Sequence, residues 1–166
     1  MSDARGGEAP VRRAMILAAG FGTRLRPLTD RLPKPLVPVL GRPLLEWIAL
    51  ALCRGGARHV AVNAHHLPEA LAAGVARAGA AVAAVAGERN GAAAAAAGGR
   101  AEARCDLALY REPQILGTGG ALVNARAFLE QDDAFFLHNG DVLTDLDLGA
   151  LAAAHRAGGA LATLAR

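Results

Sequence analysis

The sequence predicts an α/β fold built on a mostly parallel sheet. Short apolar runs alternate with helix-patterned segments, and the two most unusual loops, 18–35 and 138–145, each directly follow such a run. In parallel sheets, ligands bind where the carboxyl ends of the strands open into loops, so both loops belong to one edge. At 166 residues the chain fits one domain and can bury a core. Apolar residues make up 53% but aromatics only 4%, so that core is expected to be Leu, Val, Ile and Ala. The formal charge is +3 with scattered basic residues, which does not indicate nucleic-acid binding.

Residues 1–12 are polar, rich in small residues, and expected to form a mobile tail. Ala14–Leu17 reads as a short buried strand. Within 18–42, Pro27, Pro33, Pro35 and Pro38, with Gly41, predict a long ordered loop and forbid a helix. A loop of that length in a compact domain is usually functional. Pro43 starts a helix to about Arg54, with Leu44, Leu45, Ile48, Ala51 and Leu52 on one face and Gly55-Gly56 as the stop. Val60–Val62 is a second strand, Leu67–Ala78 a second helix with Pro68 at its start, and Ala81–Val85 a weak third strand. Residues 87–103, with six consecutive alanines between glycines, read as a low-complexity surface insertion. Leu107–Tyr110 is a strand, and Gly119–Leu129 an amphipathic helix with Ala121, Leu122, Ala125, Phe128 and Leu129 at helical spacing. Ala134–His138 is a buried strand ending in Asn-Gly-Asp. Asp147 caps a helix over Leu148–Ala157, closed by Gly158-Gly159, and Ala160–Leu164 begins another strand.

Cys53 and Cys105 make neither a disulfide framework nor a metal-type spacing, which fits a reduced, cytoplasmic setting. Arg12-Arg13 before Ala14–Ala19 imitates a signal peptide, but six apolar residues are too few and Gly20–Arg24 breaks the run. No segment approaches the ~20 apolar residues of a membrane helix, so a soluble protein is expected.

The chemistry concentrates after the first strand. Seventeen of the eighteen basic residues are arginine, and the one lysine, Lys34, sits between Pro33 and Pro35. Arginine is a planar fork and lysine a compact point charge on a flexible stem, so the exception is informative. Gly20-Phe-Gly22 starts like a dinucleotide fingerprint, but Leu25 occupies the third glycine position and Pro27 forbids an immediate long helix. A P-loop also fails. What remains is backbone that can approach a ligand at Gly20 and Gly22 and offer amides to anionic oxygen, joined by Arg24 and Lys34. That combination describes a polyphosphate site. The apolar strand ending at Asp141 brings a carboxylate to the same edge, and Mg²⁺ typically takes one or two carboxylates plus substrate phosphates. Asp145 and Asp147 better suit a turn and a cap, and His138 a packed residue. Leu116-Gly-Thr-Gly-Gly-Ala121 opens a helix with donors and room for a ring or a phosphate.

Together these residues resemble the sugar nucleotidyltransferase family, in the branch that contains mannose-1-phosphate guanylyltransferases, glucose-1-phosphate thymidylyltransferases and N-acetylmuramate-1-phosphate uridylyltransferases. The similarity runs through Leu17-Ala-Ala-Gly-x-Gly-Thr-Arg24-Leu-x-Pro-Leu-Thr, Pro33-Lys34-Pro35-Leu-x-Pro38-Val, Val62-Asn-Ala-His-His66, Leu116–Gly120 and Asn139-Gly-Asp141-Val, covering most of 13–165. The resemblance implies a Rossmann-like three-layer nucleotide-diphospho-sugar transferase fold over 13–166. It also implies that Ala18, Ala19 and Gly20 cradle the nucleotide and that Gly22, Thr23 and Arg24 hold its phosphates. Lys34 would bind near the α-phosphate, Thr118 and Gly119 would lie near the base, and Asp141 would hold Mg²⁺. The substrates implied are an NTP (GTP, UTP or dTTP) and a sugar 1-phosphate.

Chains of this family normally continue well past this point, so the fold is expected to be truncated at its C-terminus. Most of the sugar-phosphate pocket and a second metal carboxylate would then be missing, and the sheet would keep an unpaired edge that favours association. A homo-oligomer or a missing C-terminal half is the partner this suggests. Two functions stay open: the enzyme or its nucleotide-binding half, and a non-catalytic nucleotide-sugar-binding regulatory subunit or inactive fragment. A purely structural domain leaves the charged proline loop unexplained.

Overall fold

The structure, a computed structural model, describes residues 10–93 and 105–165. Four strands form one parallel sheet: β1 (Arg13–Leu17), β4 (His59–Ala64), β5 (Asp106–Arg111) and β6 (Phe135–Asn139), in spatial order β5-β4-β1-β6. A small antiparallel pair, β2 (Pro38–Val39) and β3 (Arg42–Pro43), leads into helix α1 (Leu44–Arg54). The remaining helices are α2 (Pro68–Ala93), α3 (Gly117–Asn124), α4 (Arg126–Leu129) and α5 (Leu148–Gly158). The expected α/β class with a mostly parallel sheet is observed.

Alternation along β1 explains the three layers. Ala14 and Ile16 face a core with α1, α2 and α5, alongside Val60, Val62, Leu45, Ile48, Leu71 and Leu148. Met15 faces the opposite way, with Ala61, against Ala121, Ala125 and Leu129 of the α3–α4 side. All three β1 residues are fully buried, as expected for a central strand covered on both faces. The second core is small, and aromatic contacts extend it: the Tyr110 and Phe128 rings lie 5.6 Å apart, and the Arg13 guanidinium sits 4.7 Å above Phe128.

Several sequence expectations need correction. Ala81–Val85 is not a strand but part of α2, because Leu71, Val75, Ala78 and Val82 continue one buried stripe at helical spacing. Over Pro68–Val85 this helix is long and apolar enough to cross a membrane by length and composition, contrary to expectation, yet that stripe is docked on the core. The expected helix over Gly119–Leu129 starts at Gly117 and breaks at Ala125 into α3 and α4. β6 is an edge strand, so only Phe136 is buried, while Phe135 and Leu137 remain exposed. Ala160–Leu164 forms no strand, and Thr163 instead hydrogen-bonds His155 of α5 at 2.9 Å. The Asp147 cap is as expected: its Oδ1 accepts the Ala150 N–H at 3.0 Å.

Residues 1–9 of the expected tail and 94–103 of the expected insertion lie outside the described residues. Residues 87–93 belong to α2. Val11 is buried, and the Arg12 carbonyl accepts the N–H groups of Arg58 and His59. Cys53 and Cys105 are joined as a disulfide with their Cα atoms 6.1 Å apart, against the expectation of two free thiols. The β4–β5 pairing causes this proximity: the Asp106 N–H bonds the Arg58 carbonyl, which sets Cys105 beside the last turn of α1, where Cys53 lies.

Candidate nucleotide site

The carboxyl ends of all four parallel strands meet at one edge of the sheet, at Leu17, Ala64, Arg111 and Asn139. The segments leaving β1, β5 and β6 enclose a cleft of about 360 Å³ there. Ala18, Ala19, Gly20, Gly22, Thr23, Arg24, Lys34, Thr118 and Asp141 all line it. Of the site residues expected from sequence, only Gly119 does not, because it lies one residue further into α3.

The loop after β1 is held by its own chemistry. It folds into three single 3-10 turns, Thr23–Leu25, Leu28–Asp30 and Lys34–Leu36. Gly22 enters the first with φ +62°, a left-handed conformation open to glycine. Its carbonyl accepts the Thr29 hydroxyl at 2.9 Å, and the Thr29 carbonyl in turn accepts His66 Nε2 at 2.7 Å. A Cβ at Gly22 would meet the Thr29 methyl at 2.8 Å, so Gly22 and the fully buried Thr29 are a matched pair. Thr29 escaped the sequence reading, since a threonine in a polar loop carries no signal of burial.

Lys34 is fixed by what surrounds it. Pro33 and Pro35 are buried, and Leu36 packs against α2 where Gly74 leaves room; an added Cβ there would overlap Leu36. The turn is therefore anchored on both sides of Lys34, whose Nζ donates to the Asp141 carboxylate. The glycine of Asn-Gly-Asp explains how Asp141 reaches it. The Gly140 N–H bonds the Leu17 carbonyl at 2.8 Å, and the close approach of the two strand ends carries Asp141 to the cleft. Arg24 is exposed on the same wall.

Asn63 and Glu112 also line the cleft, and the sequence reading gave neither a role. Their signal was available: an asparagine at the end of a buried strand needs a polar partner. Beyond the cleft, Arg111 grips Glu69 of α2 through hydrogen bonds of 2.6 and 2.9 Å. That hydrogen bonding, then the arginine charge, lowers the Glu69 pKa. A lowered carboxyl pKa stabilises the fold above the unfolded carboxyl range, and the contribution fades as pH falls through the folded value.

For a metal, the described residues contain no cluster of three or more His, Cys, Asp or Glu side chains. Of the two carboxylates in the cleft, Glu112 is taken up by Asn63 and the Leu116 N–H, which leaves Asp141 as the available hard donor, a set that suits Mg²⁺ completed by phosphate oxygens rather than by a protein cage.

Residues 13–166 match the NTP_transferase family, described as nucleotidyl transferase. The chain is 35% identical over 153 residues to a UTP–glucose-1-phosphate uridylyltransferase of Synechocystis, covering 92% of this chain and 36% of that protein. It is 34% identical to a mannose-1-phosphate guanylyltransferase of Mycobacterium tuberculosis, covering 91% of this chain and 36% of that protein. Among solved structures, the UTP-bound UGPase of Acinetobacter baumannii is similar with a TM-score of 0.66 at 22% identity, over 90% of this chain and 54% of that one. HddC of Yersinia pseudotuberculosis, complexed with GMP-PN, gives 0.63 at 23% over 87% and 54%. The chain thus spans 36% of the length of these curated relatives.

Proposed function

This chain belongs to the nucleotidyl transferase family, and on that premise we propose that it forms the nucleotide-binding part of a sugar-1-phosphate nucleotidyltransferase. The reaction transfers NMP from an NTP to a sugar 1-phosphate and releases pyrophosphate. An oxygen of the sugar phosphate forms a bond to the α-phosphorus, and the bond from that phosphorus to the bridging oxygen breaks. The electron pair leaves on pyrophosphate. A phosphate monoester is largely ionised at neutral pH, with a second pKa of about 6, so the attacking oxygen needs no base.

The obstacle is electrostatic: two anions must meet, and charge builds on the leaving group. In this reading Gly20, Gly22 and Thr23 present backbone to the phosphates while Ala18 and Ala19 border the nucleoside. Arg24 and Lys34 offset the charge by position, and Thr118 lies toward the base. Asp141 holds Mg²⁺, which when bound shields the phosphate oxygens. The observation that carries the reading is the meeting of Lys34 with Asp141, 107 residues apart, in a cleft also walled by Gly20, Gly22 and Arg24. The setting we assign is cytoplasmic because that compartment supplies nucleoside triphosphates; the cysteines do not support it, since Cys53 and Cys105 are joined.

The test titrates the chain with UTP, GTP and dTTP in the presence of Mg²⁺, then adds sugar 1-phosphates and follows pyrophosphate. Saturable binding of one triphosphate is expected. Binding with release identifies a transferase, whereas binding without release identifies a nucleotide-binding part or regulatory subunit. No saturable binding of any of the three overturns the proposal.

A further inference from the structure

We propose that Asn63 and Glu112 form a buried positioning pair that sets the distance between the two backbone walls of the cleft. Both side chains are shielded from water: Asn63 is 4% exposed and Glu112 5%. Buried polar groups cost folding energy unless every bond is made, so two of them together require a reason. Here the bonds form a continuous chain. Asn63 Oδ1 accepts the Ala18 N–H at 2.6 Å, and Asn63 Nδ2 donates to Glu112 Oε1 at 2.7 Å. Glu112 Oε2 accepts the Leu116 N–H at 3.2 Å.

The residue types follow from the ends of this chain. Ala18 leaves β1 and Leu116 precedes α3, and both contribute N–H donors. Two donors at the ends need one acceptor-only group and one mixed group between them, that is, one carboxylate and one amide. Two amides would face NH₂ to NH₂, and two carboxylates would face charge to charge. Backbone contacts hold the pair in place: the Glu112 N–H bonds the Ala64 carbonyl at 2.7 Å, and His65 Nδ1 donates to the Glu112 carbonyl at 3.0 Å.

The pair thus ties Ala18 on one wall to Leu116 on the other, across the ends of β4 and β5. Ala18–Gly20 and Gly117–Thr118 line the opening between. Under the nucleotide reading, on which this rests, the bridge presets the width that a nucleoside must fill. Neither side chain needs to touch the reacting phosphates; each acts through the backbone it holds.

Exchanging the two chemical roles tests this. The double variant combines Asn63→Asp with Glu112→Gln. The carboxylate introduced at position 63 accepts from the Ala18 N–H and from the amide introduced at position 112. The carbonyl oxygen of that amide accepts from the Leu116 N–H. All three bonds and the total charge return. The full chain and its variants are compared by amide hydrogen exchange and by titration with UTP and GTP. Glu112→Gln alone and Asn63→Asp alone are each expected to speed exchange at Ala18 and Leu116 tenfold or more, with Ile16 unchanged, and to weaken triphosphate binding about tenfold. The double variant is expected to return both readouts to within about threefold of the parent, well inside the single-variant losses. Single variants with parental exchange at both amides, or a double variant as impaired as the sum of the two, overturn the proposal. If the parent binds neither triphosphate the nucleotide reading falls, while the exchange comparison still decides whether the pair positions the walls.

Discussion

Lys34→Ala is expected to weaken triphosphate binding by about 10–100-fold while leaving the fold intact. The magnitude follows from removing one charge-assisted contact, about 1.5–3 kcal/mol, to a phosphate. The fold survives because the ion pair with Asp141 is partly exposed, the two side chains being 31% and 40% accessible. Pairs of that kind stabilise by only about 0–1 kcal/mol. Its absence leaves Asp141 solvated rather than buried. Pro33, Pro35 and Leu36 still hold the turn. Where the complete reaction can be followed, the loss in turnover should be larger, on the order of 10²–10³, since charge grows on the leaving pyrophosphate. Lys34→Arg is not expected to restore binding, because a longer planar fork cannot place a point charge from a turn braced on both sides. A melting curve alongside a UTP titration decides the matter. Parental affinity in a well-folded Lys34→Ala protein removes Lys34 from the site.

The parts legible in the sequence were those whose cause is local. Glycine, proline and a lone lysine write the loop after β1 into 18–35, and an apolar run ending in Asn-Gly-Asp announces the end of β6. What escaped depends on residues far apart in the chain. Ala81–Val85 reads locally as a weak strand, yet α2 runs on past Gly79 because the buried stripe of Leu71, Val75 and Ala78 continues to Val82. One glycine costs a helix about 1 kcal/mol, which alanine-rich neighbours and a docked face offset. The Asn63–Glu112 pair spans 49 residues and the Cys53–Cys105 bond 52, and each exists only once β5 pairs with β4. Strand order likewise decided the burial of β6. Its apolar sequence suits a covered strand, but at the edge of the sheet only one face is packed.

Gly140→Val is expected to lower stability by about 3 kcal/mol, the upper end of ordinary overpacking, and so the melting temperature by roughly 6–12 °C. A Cβ at this position would lie 2.5 Å from the Leu17 carbonyl oxygen and 3.3 Å from Pro35 Cγ. The nearest obstacle is backbone, so no side-chain rotation relieves it. β1 cannot retreat, because Met15 and Ile16 are fully buried on opposite faces, and buried Pro35 blocks the other side. The strand end that can move is that of β6, and it carries Asp141. Stability and site therefore fail together: the Gly140–Leu17 bond is lost, Asp141 is displaced from Lys34, and triphosphate affinity in Mg²⁺ falls as well. Gly79→Ala supplies the contrast. Nothing lies within 4 Å of a Cβ there, and the change should stabilise α2 by about 0.5–1 kcal/mol. A Gly140→Val protein that melts with the parent and binds UTP as tightly would mean that the ends of β1 and β6 do not need their close approach, and that Asp141 reaches the cleft by some other constraint.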